Sequence, residues 1–147
     1  MSRSPLLLGT TTERQMATRM AQARMIIGSS ALLGTGLAKL VFGLPDEHDN
    51  ASARALGRLF GIRNVVIGAW TLKTRDADLD TRRRWYSLNA VVDAVDVAIF
   101  AWPLLHRQGI ARLSIGSAAL GTLAAVAWID LLDASAAEAE ARVVTPA

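Results

Sequence analysis

WYSLNAVVDAVDVAIFAWPLL, residues 85–105, is a predominantly apolar run with aromatic rings at both ends and two carboxylates, Asp93 and Asp96, near its middle. At the helical rise it reaches about 31 Å, the thickness of a bilayer's hydrocarbon core. Rings at the ends suit the water–lipid interface, whereas carboxylates at the centre of a span are costly and demand partners. The rest of the chain is therefore searched for further spans and for a matching cation.

Three more segments qualify. Residues 25–44 (MIIGSSALLGTGLAKLVFGL) end at Pro45, which cannot continue a hydrogen-bonded helix. Residues 55–72 (ALGRLFGIRNVVIGAWTL) form a shorter span with Arg58 and Arg63, and residues 110–132 form a fourth, rich in Ala, Gly and Leu. The expected fold is all-α: a four-helix transmembrane bundle, with residues 1–24 a cytoplasmic leader and 134–147 a flexible Ala-rich tail. A soluble four-helix bundle is the structural alternative, because the second span is short and charged.

Charge placement orients the spans. The leader carries Arg3, Arg14, Arg19 and Arg24, and the second connector carries Lys73, Arg75, Arg82, Arg83 and Arg84, whereas the first connector, PDEHDNAS, has no Lys or Arg. Basic connectors stay cytoplasmic, so both termini are expected inside, N-in and C-in. Trp70, Trp85, Trp102 and Trp128 all fall near span ends, as an aromatic belt requires.

Composition agrees with this and narrows the classes of function. Of 147 residues, 52% are hydrophobic and 20% charged, and the mean hydropathy of +0.29 is diluted by the charged connectors. The net charge of +3 and pI near 10.2 do not point to nucleic acid, since the basic residues flank apolar runs and form no aromatic-interleaved stripe. With no cysteine, disulfides, thiolate metal sites and a cysteine nucleophile are excluded. Asp76, Asp78 and Asp80 imitate a calcium loop, but Thr81 and Ser87 occupy its glycine and glutamate positions. His48 and His106 lack metal-ligand spacing, no metal or cofactor is called for, and Asn50-Ala51-Ser52 is a formal glycosylation sequon. The partners expected are the lipid bilayer and, through small-residue faces such as Ser117 with Gly121, a second copy or another membrane protein. The location expected is a cell membrane, the bacterial inner membrane in particular.

Polar and small residues supply the candidate site. Gly57, Gly61, Asn64, Gly68 and Thr71 recur every three or four residues on the second span, marking a face where another helix approaches closely. Asn89, Asp93 and Asp96 share a face of the third span, extended by Tyr86 and Phe100. Arg63 lies at matching depth, so an ion pair with Asp93 or Asp96 is expected, either fixing helix pairing or serving an ion or polar substrate. Lys39 and Arg58 snorkel outward or line a positive outer vestibule.

The block from Ala53 to Asn64, with Gly68 and an aspartate in the next span, resembles a group of small bacterial four-helix integral membrane proteins of unknown function. Their second helix carries a G-x-R-(D/N)-x-x-x-G signature, matched here by Gly61, Arg63, Asn64 and Gly68. The resemblance covers residues 25–132 and implies a fold without an activity. Asn64 stands where many members have an acidic residue, so no catalytic acid is assigned there. The functional expectation is a structural or accessory membrane protein; a proton-coupled carrier and a membrane-embedded lipid or isoprenoid enzyme are the alternatives.

Overall fold

In a computed structural model the described residues are 9–33, 36, 39–40 and 45–144, the side chains of 141–144 excepted. Four α-helices and no β-strand occur among them: α1 (Glu13–Leu33), α2 (Ala51–Thr74), α3 (Leu79–Leu105) and α4 (Ala111–Val144). Two connector residues singled out in the sequence are helix caps. The Asn50 side chain accepts from the Ala53 amide at 3.0 Å to start α2, and Asp78 accepts from the Thr81 amide at 2.9 Å to start α3. α3, and α4 as far as Glu140, are long and apolar enough to cross a membrane.

The helices pack as two antiparallel pairs, α1 with α2 and α3 with α4. Small residues set the first pair. A Cβ on Gly28 would lie 2.6 Å from the Gly61 carbonyl oxygen, and one on Gly61 would lie 2.8 Å from that of Gly28. Gly68 faces Ala21 and Met25 in the same way. Backbones this close gain dispersion contacts that side chains would hold apart. Gly57 has open space opposite it, so the close-packed face starts at Gly61. In the second pair Gly121 fits against Val97.

Both ends of the chain depart from expectation. α1 begins twelve residues before Met25, and Met16, Ala17, Met20, Ala21, Arg24 and Gly28 are its buried face. The leader is therefore core, held there by Met16, Ala17 and Met20 packing with Tyr86, Trp128 and Leu131. The expected flexible tail from 134 is helical through Val144, with Ser135 buried and Glu138 bonded to Arg82. Arg3 and much of 34–44, the end of the expected first span, lie outside the described residues.

At one end of the bundle, here called distal, lie the α1–α2 and α3–α4 connectors; the proximal end holds the α2–α3 turn. Distally, Gly109 at φ +80° sits beneath His48, whose Nε2 would be 3.1 Å from an added Cβ. The backbone there needs a residue free to adopt positive φ and without a side chain.

Gly28→Ala and Gly61→Ala should each lower stability by about 1–3 kcal/mol through overpacking. Gly57→Ala should be neutral or slightly stabilising, since alanine favours helix. Thermal denaturation in detergent measures all three, and equal effects at 57 and 61 would mean the seam has been misplaced.

Candidate functional site: a polar centre drawn from all four helices

Arg24 lies midway along α1 on the face that meets the other helices, spaced four residues from both Met20 and Gly28. Its guanidinium pairs with Asp93 of α3, their side chains only 7% and 6% exposed. Its Nη1 donates to Asn64 Oδ1 of α2 at 2.9 Å, and Trp128 Nε1 of α4 donates to the second Asp93 oxygen at 2.8 Å. The Arg24 guanidinium carbon is 5.8 Å from the Trp128 ring centroid, within cation–π range. Each helix thus contributes one side chain to a single network. Asn64 also donates to the Phe60 carbonyl at 2.9 Å, which aims its oxygen at the arginine.

Arg63 does not join this centre. It pairs in a bidentate manner with Asp96, Nη1 donating to Oδ1 at 3.0 Å, while its guanidinium lies 5.4 Å from the Phe60 ring. The Arg63 side chain is 39% exposed, so this pair sits at the rim of the α2–α3 contact. The step from Asp93 to Asp96 turns about 60° around α3, enough to aim one carboxylate at α1 and the other at α2. Asn89 is buried, but its amide donates to the Trp85 carbonyl at 2.8 Å and takes no part in either ion pair. Phe100 meets Phe60 edge-on with centroids 6.3 Å apart.

A second polar layer closes the proximal end. Tyr86 donates to Glu13 Oε1 at 3.0 Å, and Arg82 reaches Glu13 at 3.4 Å and Glu138 at 2.9 Å. Burial pushes the Glu13 carboxyl above its ordinary value, against the opposing pull of the Tyr86 hydroxyl and Arg82. Tyr86 stacks on Trp128 at 5.8 Å, which ties this layer to the centre. Trp128 is therefore a core residue, against the expectation of a span-end ring, whereas Trp70 and Trp102 are half exposed. Trp85 donates to Thr71 Oγ1 at 3.0 Å, anchoring α3 to α2.

At the distal end Lys39 binds Asp46 at 2.8 Å and Asp49 at 2.6 Å, and Arg54 binds Asp49 at 2.9 Å. The lysine charge is thereby matched, while Arg58 stands exposed on α2, so the two form no shared positive vestibule. The Arg54 guanidinium, with Lys39, holds the Asp49 carboxyl at about 2. No family model, curated protein or solved structure matches the chain.

Sequence reasoning missed Arg24 because it stands next to an apolar run and among other leader arginines. The signal was nevertheless present, since Met16, Met20, Arg24 and Gly28 recur every four residues.

Arg24→Leu should cost about 3–5 kcal/mol by leaving Asp93 buried and uncompensated, and Arg24→Leu with Asp93→Asn should recover much of that. Arg63→Leu should cost less, given its exposure. Chemical or thermal unfolding of these three variants and of Asp93→Asn alone tests the ranking, and an additive double mutant would sink the pairing argument. The Asp49 contacts are present above the ordinary carboxylate range and should be lost only as pH falls through about 2. Carboxyl NMR shifts of Asp49 that titrate near 4 would contradict the clamp.

Proposed function

We propose that the chain is a multi-pass membrane protein of the structural or accessory class, in which the Arg24–Asn64–Asp93–Trp128 centre is an architectural lock. The observation that carries this reading is the inversion of inside and outside. Arg24, Asn64, Thr71, Arg82, Asn89, Asp93, Ser114 and Ser135 are buried, while large apolar side chains are exposed on every helix. In water that surface would drive association; in lipid it costs nothing, and the Arg24, Asn64, Arg82 and Asp93 side chains pair within the protein.

The exposed faces also change character at one level. Gln22 gives way to Ile26 on α1, Lys73 to Trp70 on α2, Arg84 to Leu88 on α3 and Asp133 to Ile129 on α4. Toward the distal end exposed apolar side chains run from Trp70 to Leu56, with the exposed Arg58 near the distal edge, from Leu88 to Leu105 and from Ile129 to Ile115. These runs are about 21–26 Å long, shorter than the ~30 Å hydrocarbon core and extended toward it by the flanking half-buried residues. The proximal end, with the basic α2–α3 turn, is then cytoplasmic, which makes both termini inside. The likeness to the bacterial four-helix group belongs to the same proposal, with Gly61 and Gly68 holding α1 and Asn64 receiving Arg24.

Closure of the centre favours a lock over a carrier or an enzyme, each of which needs water, an ion or substrate at Asp93. Its neighbours fill that position, and both Asp93 oxygens accept from side chains.

The chain has no cysteine, so a single introduced thiol reports cleanly. Asn50→Cys and Asp78→Cys should react with an impermeant maleimide from opposite sides of the membrane, and Asn89→Cys from neither. Labelling of the first two from one side would overturn the four-span topology. Labelling of the third would show that water reaches the centre and overturn the lock.

A further inference from the structure

We propose that the proximal groove between the first turns of α1 and the end of α2 binds the phosphate group of an anionic phospholipid. The groove encloses about 550 Å³ and is lined by Arg14, Thr18, Arg19 and Gln22 of α1 and by Arg75 and Asp76 after α2. The α1 residues recur at helical spacing on the face turned away from the core, the face opposite Met16, Ala17 and Met20.

One carboxylate serves two guanidiniums. Asp76 meets Arg14 Nε at 3.1 Å and Arg75 Nε at 3.2 Å, while Arg75 Nη1 donates to Thr18 Oγ1 at 3.1 Å. Arg19 adds a third guanidinium to the same lining. Arg14 and Arg75 against the single Asp76 leave an excess of positive charge. Because both contacts to Asp76 run through Nε, the Nη donors not used by Thr18 remain to engage phosphate oxygens. The Thr18 hydroxyl, which donates to the Arg14 carbonyl at 2.8 Å, fixes Arg75 in place, and the Gln22 amide supplies a neutral donor of the kind a headgroup engages beside its phosphate.

Position selects a lipid as the source of the phosphate. The groove ends at Gln22, where the exposed face of α1 turns apolar at Ile26, and Lys73 lies 4.9 Å from the Trp70 ring at the same level on α2. This places the groove at headgroup depth on the cytoplasmic side, the leaflet face where basic clusters engage anionic lipids. The assignment rests on the membrane reading above.

The test uses the full chain in neutral detergent, titrated with dioleoyl phosphatidylglycerol or dioleoyl phosphatidylcholine and read by native mass spectrometry. Preferential retention of phosphatidylglycerol is expected. Arg14→Ala and Arg75→Ala should each weaken it about fivefold. Asp76→Asn should strengthen it, an outcome misfolding does not imitate. Arg84→Ala, an exposed cation at similar depth on α3, should leave binding unchanged. Equal binding in every variant, or a loss in Arg84→Ala as large as in Arg75→Ala, would overturn the site in favour of diffuse attraction. Glycerol 1-phosphate should fail to compete at concentrations matching the lipid; equal competition would overturn the lipid source. Failure of the membrane reading looks different, because the protein would then remain soluble and monomeric without detergent whatever the state of the groove.

Discussion

Arg24 and Asp93 form a buried ion pair that neither partner can leave cheaply. A lone charge in a low-dielectric interior costs several kcal/mol, so removing either side chain strands the other. Satisfying both takes more than the pair itself: Asn64 accepts from the arginine and Trp128 donates to the carboxylate. These four groups come from four different helices, so the register of each helix is constrained by the same small network. A slide of one helical turn, about 5.4 Å, would break at least one of these bonds.

The two antiparallel pairs are built differently from the contact between them. Within the pairs, glycines at 28, 61, 68 and 121 let backbones or side chains approach closely. Between the pairs the apolar cluster of Met16, Ala17 and Met20 against Tyr86, Trp128 and Leu131 is joined by directional polar contacts: Glu13 with Tyr86 and Arg82, Arg24 with Asp93, Arg63 with Asp96, Thr71 with Trp85. Dispersion is strongest where backbones touch and is indifferent to sliding by small amounts, whereas hydrogen bonds and ion pairs are directional. Packing thus makes the pairs, and polar contacts align them.

The three polar layers also differ in exposure. The central one is closed, the Arg63–Asp96 pair is half open at the rim, and the proximal layer of Glu13, Arg82, Tyr86 and Glu138 joins the start of α1 to the end of α4. Beyond that layer the surface is charged, and the arginine-lined groove lies there. The buried Arg24–Asp93 pair is matched in charge, whereas in the groove Arg14 and Arg75 share the single carboxylate of Asp76.

Helix number and an ion pair of Arg63 with one of Asp93 and Asp96 were legible in sequence, because apolar run length and three- or four-residue spacing translate directly into helix faces. The same spacing placed Gly61, Asn64 and Gly68 on one seam. Local pattern does not say which seam meets which neighbour, so it put Gly57 in the wrong setting and grouped Asn89 with carboxylates it does not serve. Nor does composition reveal that a leader arginine is core, since Arg24 differs from Arg19 only in the face it occupies once α1 begins at Glu13. The sequence by itself determined the helices and which residues each could present. Tertiary structure alone decided that Asp93 belongs to Arg24 and Asp96 to Arg63, because partner choice depends on the rotation and depth at which separate helices dock.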